Sequence, residues 1–162
     1  MRPWSIRREV WVGAPVDAVW AYLGTAEQLS RWWCPPPSVR LAFEPRAGGR
    51  FEEHYDDGRF AYHVEGTVTV YEPPRRLAIR RLTPGSPAPS DVIELTLIEE
   101  GSRTRVVLEH CFEDLPVDRR KDMEDYFADA WSEALRALRR LAVEAPGGPA
   151  DREPPSGRDR SE

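Results

Sequence analysis

Residues 50–71, RFEEHYDDGRFAYHVEGTVTVY, decide how this chain folds. Two runs of alternating apolar and polar residues flank Asp57-Gly58, a dipeptide favoured in two-residue hairpin turns. With a two-residue turn, Asp56 faces Arg59, Tyr55 faces Phe60, and the pairing continues outward. Directly opposed residues share a face of the sheet. One face then holds Phe51, Glu53, Tyr55, Phe60, Tyr62 and Val64, and the other Arg50, Glu52, His54, Ala61, His63 and Glu65. The first is the apolar, inward face. Glu53 stands out on it, because a buried carboxylate must be paired, hydrogen-bonded or near water.

Working outward, Ser5–Val12 alternates as a strand and Gly13-Ala14-Pro15 ends it. Val16, Val19, Trp20 and Leu23 follow helical spacing. Thr25-Ala26-Glu27-Gln28 is a capping box opening a second short helix, whose apolar residues are Leu29, Trp32 and Trp33 and whose stop is Pro35-Pro36-Pro37. Further strands are expected at Val39–Glu44, Arg50–Asp56, Arg59–Tyr71, Arg76–Leu82, Asp91–Glu99 and Arg103–Phe112, with a Pro-, Gly- and Ser-rich loop over Thr83–Ser90. Gly66 inside a strand marks a bulge or a close approach of backbone. From Asp118 to Val143 one long helix carries the stripe Met123, Phe127, Ala130, Trp131, Ala134, Leu138 and Leu141. Successive hairpins make an antiparallel sheet, and its concave face is where that stripe buries itself. The expected fold is α+β: a curved antiparallel sheet wrapped around a long C-terminal helix, with two short helices after the first strand and a cavity between sheet and helix.

The chain has 162 residues, 40% hydrophobic and 31% charged, in keeping with one globular domain. That domain is read as 5–144. Residues 145–162 hold no large apolar side chain, and a disordered tail is expected there. A net charge of -5 argues against nucleic acid as a partner. No apolar run reaches membrane-span length and no apolar signal core follows Met1, so a cytoplasmic location is expected. Cys34 and Cys111 are read as thiols in a reducing compartment.

Several inward residues could do chemistry. Leu77 and Ile79 alternate inward, so Arg81 does too and can partner Glu53. Val106 and Leu108 bring His110 inward in the same way. Trp32, Trp33, Phe51, Tyr55, Tyr62, Tyr126, Phe127 and Trp131 supply flat apolar walls, as core or as ligand contacts. His54 and His63 fall on the outer, solvated face and read as exposed cross-strand polar residues. No third ligand at metal-site spacing accompanies them, and no metal or cofactor is expected. Gly48-Gly49 is a turn rather than a phosphate loop, and no nucleophile motif is present.

Pro15-Val16-Asp17-Ala18-Val19-Trp20, Trp32-Trp33, Gly48-Gly49-Arg50-Phe51, Gly66-Thr67-Val68, Pro73-Pro74-Arg75-Arg76-Leu77 and a last helix with Trp131 and Leu135 together resemble the SRPBCC (START-like) superfamily. The nearest branch is similar to the C-terminal domain of the heat-shock-protein-90 ATPase activator. The resemblance implies a helix-grip fold with a cavity for lipids, hormones, polyketides or other hydrophobic molecules. Arg81 departs from the apolar or aromatic residue usual in that branch. With Glu53 it makes a more polar interior, favouring an amphipathic or anionic ligand over a plain lipid.

The leading expectation is a binding protein for a small hydrophobic or amphipathic molecule, as monomer or homodimer. An alternative is a polyketide cyclase, aromatase or dehydratase using Glu53, Tyr62 and His110 as acid/base groups. A second alternative, suggested by the branch name, is a chaperone-interacting module.

Overall fold

The computed structural model describes residues 4–33, 39–82 and 90–144. The triple proline at 35–37, Cys34, the loop over 83–89 and the tail at 145–162 lie outside them. Alternating side chains give seven strands: β1 (Trp4–Val12), β2 (Val39–Phe43), β3 (Arg50–Asp56), β4 (Ala61–Glu72), β5 (Arg76–Leu82), β6 (Asp91–Glu100) and β7 (Arg103–Phe112). Two short helices follow β1, α1 (Val16–Trp20) and α2 (Ala26–Ser30), and the Thr25 hydroxyl caps α2 by accepting the Gln28 backbone N–H at 3.2 Å. After β7 a 3-10 turn, Val117–Arg119, leads into α3 (Arg120–Glu144).

All neighbours are antiparallel in one sheet, ordered β1-β7-β6-β5-β4-β3-β2. The first strand thus pairs with the last, and α1 and α2 carry the chain to the opposite edge. Trp131, Ala134, Leu135, Leu138 and Ala142 of α3 are buried in the core with the inner faces of β3–β7. The Tyr22 hydroxyl donates to the Leu141 carbonyl at 3.0 Å and ties the end of α1 to the last turns of α3. This is the helix-grip fold, α+β.

The β3–β4 register differs from the expected one. Asp57 Oδ1 accepts the backbone N–H groups of Arg59 and Phe60, each at 2.8 Å, and Asp56 Oδ1 accepts that of Gly58 at 2.9 Å. These side-chain bonds hold a four-residue loop, and Asp56 pairs with Ala61, Tyr55 with Tyr62, His54 with His63. The slip is two residues, so every strand residue keeps its face. Phe60 alone leaves the inner surface: it sits in the loop, 61% exposed.

Gly66 pairs with Phe51 on one side and Arg81 on the other. A Cβ there would stand 2.5 Å from the Arg80 carbonyl oxygen and 3.3 Å from the Phe51 ring. Gly66→Ala should therefore cost about 1–3 kcal/mol by forcing strand or ring aside. Gly13→Ala, with open space around its Cβ, is the control for the same urea titration and should change little. Equal stability of the two variants would show that β4 yields freely at this point.

Candidate functional site

On the inner face, alternation along β3, β5, β6 and β7 brings Glu53, Arg81, Asp91 and His110 into one hydrogen-bonded row. Arg81 extends across β4, and its Nη1 donates to Glu53 Oε1 at 2.6 Å. Its Nε and Nη2 form a bidentate pair with Asp91, both at 2.9 Å. His110 Nε2 lies 2.8 Å from Asp91 Oδ2, and Trp131 Nε1 lies 3.1 Å from His110 Nδ1. At the other end the Trp33 indole donates to Glu53 Oε1 at 2.7 Å. The chain of bonds joins the segment after α2, four strands and α3.

Chemistry settles the histidine tautomer. An indole nitrogen only donates, so Nδ1 of His110 is the bare acceptor and Nε2 carries the proton donated to Asp91. Burial pushes the His110 pKa down, against the pull of Asp91. A second proton would also face the Trp131 N–H. For Asp91, burial opposes ionisation, yet the Arg81 charge and the His110 bond outweigh it and hold the carboxyl well below its usual range. Burial also opposes the Arg81 charge, but Glu53 and Asp91 raise its pKa above the ordinary guanidinium value. With His110 neutral, two carboxylates surround one guanidinium and the row carries one net negative charge.

The predicted site residues separate by depth. Glu53 is 1% exposed, Arg81 7% and His110 0%, while Trp32, Trp33, Phe51 and Trp131 are packed core. Trp33 makes edge contacts with Trp32, Phe51 and Trp131, at centroid distances of 5.8, 5.5 and 5.3 Å. Phe127 is half-buried against His110, 4.6 Å between ring centroids. Tyr55 and Tyr62, also half-buried, stack at 5.3 Å near the hairpin tip, and Tyr126 on α3 is 66% exposed. Tyr62 links rim to interior, its hydroxyl 3.4 Å from Glu53 Oε2. Asp91 was missed as a site residue; it begins a strand, where alternation has only one neighbour to define a face.

An open cleft of about 570 Å³ lies at the hairpin end of the sheet, lined by Arg40, His54, Tyr55, Asp56, Ala61, Tyr62 and His63. Most of these belong to the outer face. Among the described residues no helix is long and apolar enough to cross a membrane.

Residues 13–142 match the family described as Activator of Hsp90 ATPase homolog 1-like protein. The chain belongs to this family. Among solved structures it is similar to CalU16 from Micromonospora echinospora, with 28% identity, TM-score 0.66, and coverage of 91% of this chain and 78% of that one. Protein NE0264 from Nitrosomonas europaea shares the fold at 23% identity and TM-score 0.70, covering 86% and 94%. DynU16, a protein of the dynemicin biosynthetic locus, shares it at 21% identity and TM-score 0.66, covering 85% of this chain and 46% of that one. No curated protein matches the chain. Within the family fold, the Glu53–Arg81–Asp91–His110 row is a polar seam through the place where sheet and helix meet.

Two outcomes follow from the seam. His110 binds its proton less tightly folded than unfolded, so stability is complete above about pH 6.5 and falls as pH drops toward the lowered folded value. The slope is at most about 1.4 kcal/mol per pH unit for one proton. His110→Gln keeps a donor and an acceptor without titrating, and urea unfolding across that range should show a flatter profile. An unchanged slope would assign the effect elsewhere. Separately, Arg81→Met should cost about 3–5 kcal/mol by leaving two carboxylates uncompensated. Adding Glu53→Gln and Asp91→Asn should restore part of that loss in the same assay.

Proposed function

We propose that this chain binds a small amphipathic molecule at the aromatic mouth between the β3–β4 hairpin and the start of α3. The apolar part of the ligand rests on Tyr55, Tyr62, Tyr126 and Phe127, and its polar end meets the Tyr62 hydroxyl and Glu53. The observation that carries this reading is the placement of Tyr62, which stands half-buried at the rim with its hydroxyl 3.4 Å from a buried carboxylate. A pocket of aromatic walls with a few convergent polar groups suits such a ligand.

The charge of the seam refines the ligand class. An exposed arginine would favour an anion, but Arg81 is already held by Glu53 and Asp91. The row is net negative, so a neutral hydrogen-bond donor or a cation fits and an anionic head is repelled.

The Tyr62–Glu53 contact also favours a second reading, a proton-transferring enzyme of the cyclase or dehydratase kind. His110 has no part in it, since both its ring nitrogens are occupied by Asp91 and Trp131. Tyr62 and Glu53 would then carry the acid/base work.

The test begins with native mass spectrometry of the protein from its own host, and identification of whatever denaturation releases. In parallel, neutral Nile red should bind more tightly than anionic anilinonaphthalene sulfonate. Tyr62→Phe should weaken the released molecule by up to about tenfold, the worth of one hydrogen bond. A preference for the anionic dye, or indifference to Tyr62→Phe, would overturn the assignment. An empty protein that co-purifies with a host chaperone would favour the interaction role suggested by the family name.

A further inference from the structure

The outer face of the same hairpin carries a second constellation. The four-residue loop sets His54 directly opposite His63, whereas the two-residue turn would have set it opposite Ala61. The two imidazoles stack with centroids 4.2 Å apart and planes 16° apart. Glu52 lies two residues before His54, hence on the same face. One ligand atom from each of Glu52, His54 and His63 falls within 4.8 Å of the other two. His54 Nε2 is 3.3 Å from Glu52 Oε2, and His63 Nε2 is 4.0 Å from Glu52 Oε1.

A second observation points to a missing ligand. Among the described residues, His63 Nε2 is a buried nitrogen without a hydrogen-bond partner, although its ring is part-exposed. A buried polar atom left unsatisfied is costly, and such atoms call for an explanation. Glu65 Oε1 also stands 4.0 Å from this nitrogen, too far to bond it. Both histidines line the cleft of about 570 Å³, which leaves room for water or a small ligand beside them.

We propose that Glu52, His54 and His63 form a binding site for a divalent transition-metal ion of the zinc class. Two imidazoles and one carboxylate make a donor set suited to Zn²⁺, Co²⁺, Ni²⁺ or Cu²⁺, and poorly suited to Ca²⁺ or Mg²⁺. Bonds of about 2.0–2.2 Å to one ion require donors roughly 3.3–3.5 Å apart. The stacked rings hold their in-plane nitrogen lone pairs nearly parallel, so binding one ion requires both imidazoles to rotate out of the stack as the three donors close in. Arg50 holds Glu52 Oε1, so Oε2 is the natural ligand atom and Arg50 orients the carboxylate from behind. The ion takes the place of the His54–Glu52 hydrogen bond, with the His54 proton held on Nδ1 instead of Nε2, and it supplies a partner for His63 Nε2. Three protein ligands leave a coordination position open toward the cleft.

The experiment is a titration of the full, untagged chain with ZnCl₂ alone, followed by calorimetry, with Co²⁺ absorption as a report of coordination geometry. One equivalent should bind saturably. His63→Ala and His54→Ala should each weaken it by about tenfold or more, the least expected for losing a ligand. Zn²⁺ should raise the melting temperature of the natural chain and not of the double variant, because only a ligand of the folded state stabilises it. A chain carrying Cys34→Ser and Cys111→Ser should bind as before. Circular dichroism identifies any variant that fails to fold, and broadening of the His54 and His63 ring resonances by Co²⁺ in the natural chain then decides the matter. Absence of saturable binding, equal affinity in the histidine variants, or loss of binding in the cysteine variant would each overturn the site.

Discussion

Arg81 is the constraint on which the interior depends. Its guanidinium is buried where an apolar side chain would need no compensation, so the surrounding chain must supply charge and acceptors. Glu53 comes from β3 and Asp91 from β6, on either side of the strand that carries it. Each carboxylate is then satisfied in turn: Glu53 by Trp33, Asp91 by His110, and His110 by Trp131. One buried cation thus sets the tautomer of a histidine on β7 and the orientation of two tryptophans in separate elements. Such a network is costly when incomplete, so it also selects against alternative packings of α3 on the sheet.

How much of this could be read from the chain alone depends on the period of each pattern. The strands and the faces of the β3 and β4 residues were legible, because period-2 alternation survives a slip of two. The register was not, because it rests on Asp56 and Asp57 side chains that capture loop N–H groups, an interaction that alternation does not encode. The partnership of Glu53 with Arg81 was legible because each sits within a run of inward neighbours. Asp91 was not, since it opens its strand and has a neighbour in the alternation on one side only. The Trp131–His110 bond lay further out of reach: helix periodicity gives a face, but not which side chain on the sheet a given indole nitrogen meets.

The depth of the tryptophans changes what the inner face can do. Trp32, Trp33 and Trp131 are packed edge to face and bonded through their indole nitrogens as scaffold, whereas Tyr55 and Tyr62 stand half-buried at the rim. Both ring nitrogens of His110 are engaged, by Asp91 and by Trp131, and the carboxylates of the seam lie behind Tyr62.

The register that the loop imposes has opposite consequences on the two faces of one hairpin. On the inner face it pairs Tyr55 with Tyr62 and leaves Val64 opposite Glu53, so the carboxylate meets Arg81 and Tyr62 without a polar neighbour directly across the strand. On the outer face it pairs two histidines beside a glutamate. Under the two-residue turn, Glu53 would have faced Tyr62 directly and His54 would have faced alanine. Replacing the Asp57 side chain would remove the acceptor that holds Arg59 and Phe60, and with it the bias toward this pairing. Both the rim contact and the histidine pair are therefore governed by a loop carboxylate that also accepts the Tyr55 hydroxyl at 2.9 Å, which makes Asp57 the residue through which the two faces are coupled.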